Sequence, residues 1–180
     1  LLFSAFIKPE RAISEWGWLP LIIGLSVAEA LSELTGKEFL TKWPNDVLYE
    51  GKKVSGILCE SSHGGLIAGV GINVNFEKSE LPVKNASAIN LVTGSEAERE
   101  LVLAATLGKI SENLKIWNES GVNLLADIYL KYSATIGKEV RVELGNGNTI
   151  SAIAIGLSEF GELKLSNGSA VSIGDVTHLR

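Results

Sequence analysis

Between Phe39 and Asn75 short apolar stretches alternate with turn residues, and this rhythm restricts the fold more than any other feature of the chain. Phe39 to Lys42 reads as a short strand. Lys42-Trp43-Pro44-Asn45-Asp46 then turns the chain, because proline has no N–H for a strand ladder and asparagine tolerates turn geometry. Val47-Leu48-Tyr49 and Val54 to Glu60 read as a hairpin about Glu50-Gly51. Gly64-Gly65 leads into Leu66 through Val74, an apolar strand with Gly69 and Gly71 on one alternate set of positions. Consecutive antiparallel strands with polar residues at their ends make a binding sheet.

Lys53 stands at the mouth of the strand Val54 to Glu60, and Gly56 leaves the backbone open to close approach by a ligand. A lysine over exposed glycine backbone suits a ligand carrying both an anionic group and hydrogen-bonding edges. The competing reading is a polar hairpin, Tyr49-Glu50-Gly51-Lys52, whose lysines are solvated edge guards. The whole Lys-Trp-Pro-Asn-Asp string favours the ligand site.

Upstream, Leu1 to Ile7 reads as a largely buried strand, and Leu19-Pro20 opens a helix through Leu34 that Gly36 closes. Phe76 to Lys84 is loop and Ala86 to Asn90 a helical turn. Ser95 is expected to cap a helix beginning Glu96-Ala97-Glu98, with an apolar face of Leu101, Leu103, Ala104, Leu107, Ile110, Leu114 and Trp117. Leu124 to Tyr132 is a further amphipathic helix. After Ser133 come five short strands, with turns at Gly145-Asn146-Gly147-Asn148, Phe160-Gly161 and Asn167-Gly168, which suggests a small closed barrel.

The length of 180 residues suffices for one good core plus a small second module. Hydrophobic content of 46% and charged content of 21%, both spread along the chain, mark a folded protein. The net charge of −5, with no dense basic stripe, argues against nucleic acid as a partner of this segment. The one cysteine, Cys59, excludes an internal disulfide, fits a reducing cytoplasm and reads as a buried structural thiol. Two histidines and one cysteine do not make up a usual transition-metal ligand set, and His63 and His178 read as surface residues without a catalytic part. The most apolar stretch, Leu19 to Leu31, is interrupted by Ser26 and Glu29, so no membrane partner is expected. The chain opens on an apolar strand without an initiating Met, and further residues are expected upstream.

Lys42-Trp43-Pro44-Asn45-Asp46, Lys52-Lys53-Val54-Ser55-Gly56-Ile57-Leu58 and Gly71-Ile72-Asn73-Val74-Asn75 together resemble, in order and spacing, the biotin protein ligases. Gly174-Asp175-Val176-Thr177-His178-Leu179-Arg180 resembles the closing strand of that family's C-terminal barrel, and Trp16-Gly17-Trp18-Leu19-Pro20-Leu21 resembles its bacterial members. The resemblance covers essentially the entire chain. It implies an α+β fold related to the class II synthetases, a mixed sheet with flanking helices over residues 1–132, and an SH3-like β-barrel over residues 133–180. It also implies a two-step reaction. The biotin carboxylate attacks the α-phosphate of ATP to give biotinyl-5′-AMP, and a lysine of a biotin carboxyl carrier domain then attacks that anhydride.

On this resemblance Lys53 lies at the biotin carboxylate and the α-phosphate, with Gly56, Ile57 and Leu58 offering backbone groups and an apolar wall to biotin. Lys42, Asn45 and Asn73 lie near the adenine and phosphates. Asp46 either binds Mg²⁺ or orients and deprotonates the acceptor lysine. ATP, Mg²⁺ and biotin act in the reaction, with no tightly bound cofactor, and a homodimer through the barrel and sheet edges stays open. Structural alternatives accompany these roles: Asp46 caps its own turn, Asn73 satisfies buried backbone groups, and Trp43 is a core wedge.

Family members carry, upstream of a strand like Leu1 to Ile7, a Ser/Thr-rich biotin-contacting stretch and an Arg/Gly-rich loop that folds over biotinyl-AMP. Neither is in this sequence, so the polypeptide by itself is expected to bind biotin weakly and to have little ligase activity. The alternative functions are a lipoate-type acyl ligase and a non-catalytic, degenerate binding module.

Overall fold

The structure, a computed structural model, describes residues 1–81, 83–145 and 147–179. Pro82 in the expected 76–84 loop, Asn146 in the expected barrel turn and Arg180 of the tail motif lie outside the described residues.

The turn chemistry of the first half produces a five-stranded sheet in the order β1-β5-β4-β3-β2. Its members are β1 (Leu2–Ile7), β2 (Leu40–Lys42), β3 (Asp46–Tyr49), β4 (Lys52–Ser62) and β5 (Gly65–Ile72). Glu50 and Gly51 (φ 47° and 77°), and His63 and Gly64 (φ 44° and 76°), place left-handed residues in pairs, the turn geometry that follows strand twist. The α+β class is as expected, but the strand pairs are all antiparallel rather than mixed. Parallel pairing among the described residues is confined to two single bridges, Thr41 with Ser133 and Lys53 with Ala86.

One face of this sheet is covered by α1 (Leu19–Thr35), which has Pro20 in its first turn and stops at left-handed Gly36 (φ 66°). Nearly every side of α1 is buried, because the sheet lies on one flank and α3 (Arg99–Ser120) on the other. Gly24 allows close contact: a Cβ there would lie 3.6 Å from Ile57 Cδ1. By length and hydropathy residues Ile13–Thr35 would pass for a membrane-crossing helix, yet 67% of that window is buried inside the protein, as for a core helix.

Two expectations about the helices are corrected. The long helix starts at Arg99, not after Ser95, because Asn75 ties down the backbone of Ala97 ahead of the extended Glu98: its Nδ2 donates to the Ala97 carbonyl and its Oδ1 accepts the Ala97 N–H, both at 3.0 Å. Its buried face is Val102, Thr106, Ile110, Asn113 and Trp117, while Leu101 and Leu107 are exposed. The physical reason is a polar contact: Asn113 Nδ2 donates to Ser26 Oγ (3.0 Å) and Glu29 Oε2 (2.7 Å) of α1. Short α2 (Ile89–Thr93) and amphipathic α4 (Asn123–Tyr132) complete the first module.

The second module is the five-stranded antiparallel sheet β10-β6-β7-β8-β9, with β6 (Glu139–Glu143), β7 (Thr149–Leu157), β8 (Leu163–Leu165), β9 (Ala170–Val171) and β10 (Asp175–His178). Val140, Val142, Ala154, Leu163, Leu165, Val171 and Val176 fill its interior. It is tied to the first module by tryptophans. Trp18 Nε1 donates to the Ser158 and Glu159 carbonyls (3.2 and 3.0 Å), and Trp43 Nε1 to the Gly161 carbonyl (3.1 Å). Trp43 is 1% exposed, the core wedge of the structural alternative.

Candidate functional site

Among the described residues no helix covers the other face of the first sheet, and strand alternation determines what it presents. Leu2, Ser4 and Phe6 of β1, Ile67, Gly69 and Gly71 of β5, and Gly56, Leu58 and Glu60 of β4 share that face. Register lines them into rows: Leu2, Gly71, Gly56 and Asp46 in one, Ser4, Gly69 and Leu58 in the next. Three glycines remove the side chains from the middle of these rows. The result is a cleft of about 530 Å³ whose floor is bare backbone, bordered by Leu2, Ser4, Leu58, Asn45 and Lys53.

Lys53 is the half-exposed cation of this cleft, and its Nζ pairs with Asp46 Oδ1. The pair needs Gly56. A Cβ at position 56 would lie 3.0 Å from both Cε and Nζ of Lys53 and 3.7 Å from Asp46 Oδ1. The start of β4 is pinned on its far side as well, since the Lys53 N–H donates to the Asn85 carbonyl (2.9 Å) and the Lys53 carbonyl accepts the Ser87 N–H (2.8 Å).

A second cleft of about 390 Å³ adjoins the first and shares Leu2, Lys53, Gly56 and Gly71 with it; Asn73, Phe76, Val83 and Ala86 are among its other walls. A third, of about 410 Å³, opens from Lys53 towards the barrel and is lined by Lys42, Asp46, Asn85, Asp175 and His178. Lys53 therefore stands where three clefts meet.

The other expected site residues fall into place around it unequally. Asn45 locks the turn onto β4: its Nδ2 donates to the Ile57 carbonyl (2.8 Å) and its own carbonyl accepts the Ile57 N–H (2.9 Å). Those bonds occupy the Ile57 backbone, and its side chain, 2% exposed, packs toward α1; Ile57 still borders the cleft, and Leu58 is the exposed apolar side chain beside it. Asn73 lines the second cleft, but its Nδ2 is spent on the Ser87 carbonyl (2.9 Å), the bracing role weighed as its structural alternative. Lys42 faces Asp46 across the hairpin and borders the third cleft rather than the glycine floor. Asp46 is held by Lys53, a role the residue pattern did not assign.

His178 is no surface bystander. It is half-buried, with Nε2 3.2 Å from Thr135 Oγ1. His63 is exposed and bonds Ser62. Burial pushes the half-buried Cys59 thiol up to about 12, so it is not a nucleophile. Among the described residues no group of three or more His, Cys, Asp or Glu side chains is placed to hold a metal ion. Sequence reasoning missed Leu2 and Ser4, which reach the site only through the β1–β5 register. It also missed Asn90, whose Nδ2 donates to the Phe76 carbonyl and whose Oδ1 accepts the Phe76 N–H, both at 3.2 Å, fixing a wall of the second cleft.

The site has counterparts in known proteins. Residues 1–77 match the biotin/lipoate A/B protein ligase family, and residues 135–179 match the biotin protein ligase C-terminal domain. The crystal structure of the biotin protein ligase of Aquifex aeolicus is similar at a TM-score of 0.86 and 38% identity, over 99% of this chain and 81% of that one. The chain belongs to the biotin protein ligase family. An Aquifex ligase structure in complex with biotin and ATP is equally similar, with a TM-score of 0.86 and 37% identity over 100% of this chain and 78% of its own. Among curated members, the biotin–[acetyl-CoA-carboxylase] ligase of Mycobacterium tuberculosis is 36% identical, over 93% of this chain and 65% of its own length. The bifunctional ligase/repressor BirA of Bacillus subtilis is 27% identical, over 93% and 54% respectively. This biotin protein ligase family chain thus spans between about half and two thirds of the length of those relatives.

Proposed function

We propose that the chain adenylates biotin with ATP and passes the biotinyl group to a lysine of a biotin carboxyl carrier domain. The observation that carries this reading is Lys53 at the seam of a glycine-floored cleft and an adjoining apolar one. The first suits a fused ring system whose aliphatic tail ends in a carboxylate at Lys53. The second suits a nucleotide whose α-phosphate reaches the same amine. When a carboxylate oxygen attacks the phosphorus and pyrophosphate leaves, two anions are forced together, and a cation already in place offsets that repulsion. Asp46 holds the ammonium there and Gly56 leaves it room. The acceptor amine would then attack the carbonyl of the anhydride, AMP leaving, by way of the third cleft, which holds two carboxylates, Asp46 and Asp175; Asp46, next to Lys53, is the one placed to take its proton.

In the alternative role Asp46 would help hold Mg²⁺ with the nucleotide, where the ion would shield phosphate charge, since one or two carboxylates plus phosphate oxygens are its usual ligands. The division into residues 1–132 and 133–180 is supported by α4 ending at Tyr132 and by the C-terminal domain match starting at residue 135. A cytoplasmic setting, suited to the lone thiol, and self-association through the sheet edges, testable by sedimentation, belong to the same reading.

Isothermal titration with biotin, in the presence and absence of ATP, tests it. Coupled binding, lost at least tenfold in Lys53→Ala, is expected. Biotin binding indifferent to ATP and to Lys53 would leave a non-catalytic binding module, and binding of lipoate in preference to biotin would shift the assignment to an acyl ligase of that type.

A further inference from the structure

We infer that His178, acting through Thr135, positions the Lys42–Asp46 turn, and that it does so only as the neutral imidazole. The connection runs from the last barrel strand to the centre of the motif. The Trp43 N–H donates to Thr135 Oγ1 at 3.1 Å, and His178 Nε2 lies 3.2 Å from the same oxygen. Thr135 is fully buried. A buried hydroxyl that accepts from Trp43 still has its own proton to place, and an unprotonated Nε2 is the acceptor in reach.

Protonating His178 reverses that bond. Nε2 becomes a donor, so Thr135 Oγ1 faces two donors while its own proton is stranded in a buried place. The surroundings oppose the cation. Burial lowers the imidazole below its ordinary value, and Lys42 of β2 and Lys138 ahead of β6 disfavour the cation further. Asp46 of β3 and Lys53 of β4, on the same cleft, are paired with each other, and Asp175 of β10 is the opposing carboxylate on that wall. Glu139 and Arg141 flank Val140, the residue opposite His178, and lie on the other face of β6. What moves when the bond fails is the Trp43 peptide, and with it the turn that carries Asn45 and Asp46.

The link to adenylation rests on the ligase reading, so the test has two arms. In the first, the Trp43 backbone amide is followed by nuclear magnetic resonance through the titration of His178. The amide is expected to shift with the imidazole at a midpoint below the ordinary 6.5. It should lose that coupling in Thr135→Val, retain it in Thr135→Ser, and stay at its neutral-form position at every pH in His178→Gln, whose side-chain carbonyl replaces Nε2 as acceptor. In the second, coupled biotin and ATP binding is measured from about pH 8 to about pH 5. The unmodified chain should lose about tenfold as His178 titrates, His178→Gln should be flat, and Thr135→Val should be weak throughout. A Trp43 amide indifferent to His178, or an acid loss unchanged in His178→Gln, overturns the inference. Coupling at Trp43 without any biotin binding at neutral pH would support the joint and remove the ligase reading instead.

Discussion

Replacing Gly56 with alanine separates the chemistry of the site from the stability of its sheet. The backbone there is ordinary extended strand, so alanine fits the chain and recovers roughly 0.5–1 kcal/mol of the conformational entropy that glycine forfeits. The new methyl would stand 3.0 Å from Lys53 Cε and Nζ, well inside the optimal separation of about 3.5–4.0 Å. What must yield is the end of a flexible side chain, which swings at a cost of about 0.5–1.5 kcal/mol. These contributions nearly cancel, and the melting temperature is expected to move by no more than a few degrees. The ammonium, however, is displaced by about half an ångström to an ångström from Asp46, and misplacement on that scale costs a reaction up to about a hundredfold. Biotin-dependent pyrophosphate release, measured beside thermal unfolding, is the assay. A normal rate in Gly56→Ala refutes the argument, and so does a slow enzyme that has lost most of its stability. Gly69→Ala is the control: its Cβ would meet the Leu58 carbonyl at 3.6 Å and Ser4 Oγ at 4.0 Å, filling the cleft without touching Lys53. It should weaken biotin binding and leave ATP binding alone.

Other substitutions test the frame around the site. Gly17→Ala would set a Cβ 2.2 Å from the Phe160 carbonyl oxygen, a backbone atom that has nowhere to go, and should cost about 2–4 kcal/mol in denaturant unfolding. Asn75→Ala removes both bonds holding Ala97 and should cost about 1–3 kcal/mol, with faster hydrogen exchange at the Ala97 amide as its local mark. Burial raises the Glu29 carboxyl above its ordinary value, against the opposing effects of Asn113 and Lys109. The folded state therefore holds that proton better than the unfolded chain does, so charged Glu29 weakens the fold at neutral pH, and the penalty fades as pH falls through the raised value towards 4.5. Glu29→Gln, which keeps a carbonyl for Asn113, should raise the urea midpoint at neutral pH and raise it less in acid; an equal gain at both refutes the account.

What the sequence made legible was local. The Glu50-Gly51 turn, the Gly36 stop of α1 and the Lys53–Gly56 spacing all depend on neighbours a few residues away, while the second turn falls one residue earlier than read, at His63-Gly64. The misreadings depended on distant partners. Ser95 looked like a cap until Asn75, some twenty residues earlier, took hold of Ala97. Ile110 and Trp117 of the expected α3 face are buried, but Leu101 and Leu107 are not, because the buried amide of the helix, Asn113, has its acceptors on another helix. Ile57 borders the cleft beside Leu58, but strand alternation turns its side chain to the face opposite Gly56 and Leu58. Leu2, Ser4 and His178 join the site only once register and the barrel's position are known.

The indole N–H groups of Trp18 and Trp43 both end on carbonyls of one barrel segment, residues 158–161. Separating the two modules gives up these bonds, at roughly 0.5–1.5 kcal/mol net for each, and exposes the two buried indoles to water. Heat should therefore find a single transition in a calorimeter, with neither half surviving the other's melting. A chimera that exchanged this barrel for a foreign one would stay folded only if the replacement offered carbonyls at the same places.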